Sequence, residues 1–157
     1  MLVLLVLYVL LDFAIDIRPS GVQDSYRFEI GPLSEDQPRI LRRDNLSILV
    51  LRRSAGTVAR LRKATEGLQD PESRRSSQPD YAANPLRSRR PELFVSYAIG
   101  TDFGCGLEIA VSTLKEICGS ARYDFAGRAL AGDRQFPNLV VPDYNFSDDF
   151  RYLTIRP

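Results

Sequence analysis

The hydrophobic pattern of the chain changes near residue 26. From Met1 to Leu11 it is apolar without interruption, and charge enters only at Asp12 and Asp16. From Tyr26 onward, short apolar segments are divided by turn residues, which predicts a small, mainly β domain. YRFEI (26–30) alternates as a strand does, and GPLSEDQP after it reads as a loop from its glycine and prolines. LSILVLRR (46–53) follows the turn-like Asp44-Asn45 and predicts a second strand that could pair with the first.

One stretch has helical periodicity. Val58, Leu61 and Leu68 share a face opposite Arg60, Arg62 and Lys63, and the pattern stops near Gly67 to Pro71. Residues 70–92 are rich in Pro, Ser and Arg without periodicity, so they predict an irregular surface excursion or a disordered linker. LFVSYAIG (93–100) and LEIAVSTL (107–114) resume as strands. ARYDFAGRALAGD predicts strand, turn at Ala126-Gly127, and strand, while FPNLVVPDYNF and FRYLTI supply the last two.

The N-terminal run is ambiguous by length. A helix needs about 20 apolar residues to cross a bilayer core, and Met1 to Ile15 is shorter. A secretory signal would carry a basic start and a small-residue cleavage site, and neither is visible. The unbroken apolar character over eleven residues favours a membrane segment over a buried core element.

Charge and composition narrow the chemistry. With 21 basic and 20 acidic side chains the net charge is +1, so no global field gathers nucleic acid. Local clusters such as Arg42-Arg43 and Arg52-Arg53 lack interleaved aromatics and read as solvated faces. The chain has no histidine, which excludes Ser-His and Cys-His catalysis and imidazole metal ligation. Its two cysteines, Cys105 and Cys118, cannot build a four-thiolate site, but they can form one disulfide in an oxidising compartment. Each stands in a glycine-bearing loop, GTDFGC and EICGS.

Several longer phrases resemble the Rieske iron-sulfur subunit of the quinol:cytochrome c reductase (cytochrome bc) complex. They are LVLRRS, LQDPESRRSSQPDYAANPLRSRRPELFV, GSARYDFAGRAL and NLVVPDYNF, and the likeness runs from about Tyr26 to Ile155. The resemblance implies a Rieske-type antiparallel β-sandwich with one inserted helix. Residues 1–17 would be an apolar anchor, whole or truncated, 18–27 a hinge, and 28–157 the β domain, with a cluster-binding-like part at about 98–137.

In that family the two boxes read C-T-H-L-G-C and C-P-C-H-G-S. The opening Cys and the His of each bind a two-iron two-sulfur cluster, and the remaining cysteines form a disulfide. Position by position, the ligand positions here hold Gly100 and Asp102 in the first box and Glu116 and Gly119 in the second. The disulfide positions hold Cys105 and Cys118. The serine whose hydroxyl bonds cluster sulfur in the family is Ala121, whereas the tyrosine persists as Tyr123. The family's proline loop falls on Gly132 to Phe136, with Arg134 and Phe136 where prolines belong.

The resemblance therefore implies a cluster-less subunit without a cofactor or catalytic activity of its own. It would be a structural or accessory component of a respiratory complex, held by its N-terminal segment in the inner membrane. Its domain would face the periplasm or the mitochondrial intermembrane space, beside cytochrome b and cytochrome c1 type subunits. A Cys105–Cys118 bond would close a loop of roughly 14 residues, worth about 3 kcal/mol. Other readings are two free thiols, a zinc site on Cys105, Cys118, Asp102 and Glu116, a cofactor completed by another chain, a stand-alone binding module, or a decaying gene product.

Overall fold

The computed structural model describes residues 6–11 and 25–157. Residues 6–11 are helical, with Val6 through Leu11 all exposed. No helix among the described residues is long and apolar enough to cross a membrane. The rest of the segment read as an anchor, and the hinge up to residue 24, lie outside the described residues.

Among the described residues, nine strands form three antiparallel sheets. β1 (Tyr26–Glu29), β9 (Tyr152–Arg156) and β8 (Asp143–Phe146) make the first, with β9 central. β2 (Arg39–Arg43), β3 (Leu46–Arg52) and β4 (Leu93–Tyr97) make the second. β5 (Leu107–Ile109), β6 (Leu114–Glu116) and β7 (Arg122–Tyr123) make the third, which positions the cysteine loops. One hydrophobic core joins them through residues such as Phe28, Leu51, Phe94, Leu114, Tyr123 and Leu153. This is the mainly β architecture expected from the chain.

β3 has a strand on either side, and Ile48 to Leu51 are fully buried. That burial explains why its sequence runs apolar instead of alternating. Its neighbours differ from the expected pairing. β1 pairs with β9 (Tyr26 opposite Ile155), and β3 pairs with RILRR, residues 39–43, which carries three arginines and escaped a hydrophobic reading. The Asp44-Asn45 turn joins β2 to β3 with Asp44 at φ 52°, a left-handed conformation that Asp and Asn tolerate better than most residues.

The helix α1 (Ala55–Lys63) begins at Ser54, whose hydroxyl accepts the Thr57 N–H. Ser54 is itself held by Asp36, which accepts its N–H and hydroxyl at 3.0 and 2.6 Å. The helix ends before Leu68, which instead bridges to Leu130 beyond the left-handed Gly67. LEIAVSTL is likewise two strands and a turn, with Ile109 opposite Leu114 and the Val111 side chain in solvent.

The excursion over residues 70–92 is ordered because buried polar groups anchor it. Asp70 accepts the Arg74 and Arg75 N–H groups and the Ser76 hydroxyl. Asn138 donates to the Asp70 carbonyl and the Ser73 hydroxyl and accepts the Ala129 N–H. Among the described residues, three arginines are almost completely buried. Arg53 donates to the Leu86 carbonyl and the Ser88 hydroxyl, and Arg87 to the Gly127 carbonyl and Gln78. Burial pulls both guanidinium groups down to about 10. Arg128 pairs with Asp124 at 2.7 Å and donates to the Leu61 and Ala64 carbonyls, closing the C-terminus of α1.

Candidate functional site

Three loops meet at the end of the third sheet. The first leaves β4 and returns to β5; Gly100 donates its N–H to the Cys105 carbonyl and Gly104 takes φ 77° at the turn. The second leaves β6 and returns to β7, clamped at its base by the Glu116 N–H on the Ala121 carbonyl. The Ile117 N–H bonds the Gly106 carbonyl and ties the two together. The third loop carries Arg134 and Pro137. Cys105 and Cys118 join the first two loops as a disulfide, with a Cα–Cα distance of 6.0 Å. Cys118 is exposed and Cys105 half-buried.

Tyr123 fixes the first and third loops to the sheet. Its oxygen accepts the Thr101 N–H at 2.7 Å and lies 2.8 Å from the Thr101 hydroxyl. Thr101 spends its single hydroxyl proton on the Pro137 carbonyl, so the phenol donates to Thr101. Burial raises this phenol above its ordinary range, which keeps the donating proton in place.

Gly100, Asp102, Glu116 and Gly119 come together as two crossed pairs. Glu116 is fully buried and reaches from the second loop into the first. Its Oε2 accepts the Asp102 N–H, and its Oε1 accepts those of Phe103 and Cys105, all at 2.8 Å. The side chain lies over Gly100, where a β-carbon would overlap the Glu116 carboxylate and Cγ. Asp102 makes the opposite crossing, and its Oδ2 accepts the Ser120 N–H at 2.9 Å. It lies over Gly119, where a β-carbon would stand 2.8 Å from Oδ2. Each loop thus contributes one acid and one glycine, and each acid needs the other loop's glycine.

Arg134 completes the cluster. Its Nη1 stands 3.0 Å from Asp102 Oδ1, as an ion pair rather than an aligned hydrogen bond, and its guanidinium lies 5.4 Å from the ring centres of both Phe103 and Phe136. The two residues that replace the expected prolines therefore contact this site. Arg134 as a partner of Asp102 was the functional residue missed from sequence; its signal was a basic residue in a loop facing an acid-bearing one.

The arrangement revises the zinc reading. Cys105, Cys118 and Glu116 bring ligand atoms within 4.8 Å of one another, while Asp102 is turned to Ser120 and Arg134. The acids are not solvated, as loop carboxylates usually are; both side chains are buried. A Rieske centre takes two thiolates and two imidazoles. Gly100, Asp102, Glu116 and Gly119 offer neither, the chain has no histidine, and Glu116 occupies the space beside Gly100. The donor set and the packing do not fit that cluster.

No protein-family model matches the chain. A ubiquinol-cytochrome c reductase iron-sulfur subunit of Allochromatium vinosum is 32% identical over 118 residues, covering 68% of this chain and 57% of that protein. The chain thus spans little more than half the length of this curated relative. A chain of a hyperthermophilic respiratory Complex III superposes with a TM-score of 0.53 at 15% identity, covering 96% of this chain and 89% of that one, which is a likeness of fold. Residue identity and fold together make this chain a relative of the Rieske iron-sulfur subunits of ubiquinol-cytochrome c reductase.

Proposed function

We propose that the chain is a cluster-less Rieske-like subunit, a structural or accessory component of a quinol:cytochrome c reductase complex with no electron transfer of its own. Relationship to a ubiquinol-cytochrome c reductase subunit supports the respiratory setting. The observation that carries the loss of redox function is Glu116, whose buried carboxylate takes three backbone N–H groups beside Gly100. Decay by random substitution would leave voids and unpaired donors. The crossed acid and glycine pairs instead give a packed, hydrogen-bonded core, and this favours a retained structural role.

In this reading residues 98–137 are the former cluster-bearing part, now closed by a disulfide and two carboxylates. The N-terminal apolar segment anchors the chain in the inner membrane, with residues 18–27 as hinge and residues 28–157 on the periplasmic or intermembrane-space side. Its neighbours are cytochrome b and cytochrome c1 type subunits. Affinity purification of the tagged chain from native membranes in mild detergent tests this. The expected result is co-purification with b- and c-type heme spectra; isolation as a heme-free monomer would contradict it.

A further inference from the structure

We propose that reduction of the Cys105–Cys118 disulfide opens a binding site for one divalent thiophilic metal ion, with the two thiolates and the Glu116 carboxylate as ligands. Three observations carry it. The two sulfurs and a Glu116 oxygen already lie within 4.8 Å of one another. A tetrahedral zinc site with bonds of about 2.0–2.3 Å spaces its ligand atoms roughly 3.5–3.8 Å apart, so the cleaved sulfurs need to separate only by side-chain rotation.

The carboxylate is also oriented in advance. Oε1, which lies 4.0 Å from Cys118 Sγ, takes the Phe103 and Cys105 N–H groups and Oε2 takes that of Asp102, so the one unused acceptor position is on Oε2. Such outer bonds fix a ligand's direction and offset the negative charge that two thiolates add. Finally, Cys118 is exposed, so a reductant can reach the bond.

The chemistry balances with a dithiol as reductant. Two electrons and two protons pass to the S–S bond, which breaks into two thiols while the dithiol closes to its own disulfide. The ion then displaces both thiol protons, and water fills the fourth position. The site differs from the family's ligand set, since its two sulfur ligands are the disulfide cysteines and it shares only Glu116 with that set. Its existence does not depend on which complex the chain joins.

The test reduces the full chain with a phosphine under anaerobic conditions and titrates cobalt(II). Near-ultraviolet absorption reads sulfur-to-cobalt charge transfer, and circular dichroism reads the fold. The expected result is one cobalt per chain with charge-transfer and tetrahedral d–d bands, displaced by zinc, and no such bands in the oxidised chain. Cys118→Ser should weaken the charge-transfer band, and Glu116→Gln should bind roughly tenfold or more weakly. If Glu116→Gln does not fold, Glu116→Asp, which withdraws the carboxylate, should show the same loss. A reduced chain without charge-transfer absorption, equal binding by the oxidised chain, or wild-type affinity in the folded Glu116 variant overturns the proposal. So does a reduced chain that unfolds and is not refolded by cobalt.

Discussion

Glu116 and Gly100 share one space: the carboxylate of the first lies where any side chain on the second would begin. Glu116 is not free to move aside, because three N–H groups of the opposite loop hold it at 2.8 Å. Gly100→Ala should therefore cost about 1–3 kcal/mol in the native chain and much less in a Glu116→Ala background. Denaturant midpoints of the four proteins in this cycle should give a coupling of at least about 1 kcal/mol. Simple additivity would mean that the two positions are independent.

Removing the carboxylate alone leaves three donors without an acceptor in a closed site. Glu116→Ala should lower unfolding free energy by about 2–4 kcal/mol. Hydrogen exchange checks the location of the damage, since the Asp102, Phe103 and Cys105 amides should lose protection while those of β3 keep theirs.

The disulfide closes the same pair of loops. A Cys105→Ala, Cys118→Ala double variant should lose about 3 kcal/mol relative to the oxidised chain. Thermal unfolding with and without a reductant should show the wild type falling to the variant's midpoint.

Asp124 is the partner of the buried Arg128, with side chains 13% and 1% exposed. Asp124→Asn should cost about 3–5 kcal/mol, since it leaves a guanidinium charge uncompensated in the interior. Equilibrium urea unfolding measures it. Paired replacement of Asp124 and Arg128 by neutral residues should cost less than the two single changes together.

Acid should loosen the excursion through Asp70. Burial pulls its pKa up, but the Arg75 N–H, the Ser76 hydroxyl and the Arg74 N–H outweigh that and hold it below the ordinary aspartate value. A carboxyl depressed in the folded state contributes stability above its unfolded pKa, near 3.9, and loses it as pH falls through the folded value. Asp70→Asn should flatten the stability profile below about pH 5, measured by thermal midpoints at stepped pH, and should show the larger deficit at neutral pH.

Much of this architecture was legible because burial leaves a mark on residue type. The apolar run of β3 and the Asp44-Asn45 turn announced themselves. β2 did not, because RILRR at an edge buries little, and Arg39 and Arg43 spend their guanidinium groups on the Ile30 and Arg27 carbonyls. Residues 70–92 looked unstructured because their order rests on Asp70, Arg87 and Asn138, polar residues whose burial no periodicity records. At the candidate site the positions of Gly100, Asp102, Glu116 and Gly119 could be picked out from the family boxes. Their crossed pairing could not, since it depends on how far each side chain reaches across to the opposite loop.

The central claim is that Glu116 and its partners occupy the place of a cofactor. The most direct measurement is iron and acid-labile sulfide analysis of the chain purified anaerobically from native membranes, with paramagnetic resonance after dithionite reduction. The account predicts no bound iron-sulfur cluster and no rhombic signal. Two iron and two sulfide per chain, with the spectrum of a reduced two-iron centre, would contradict it.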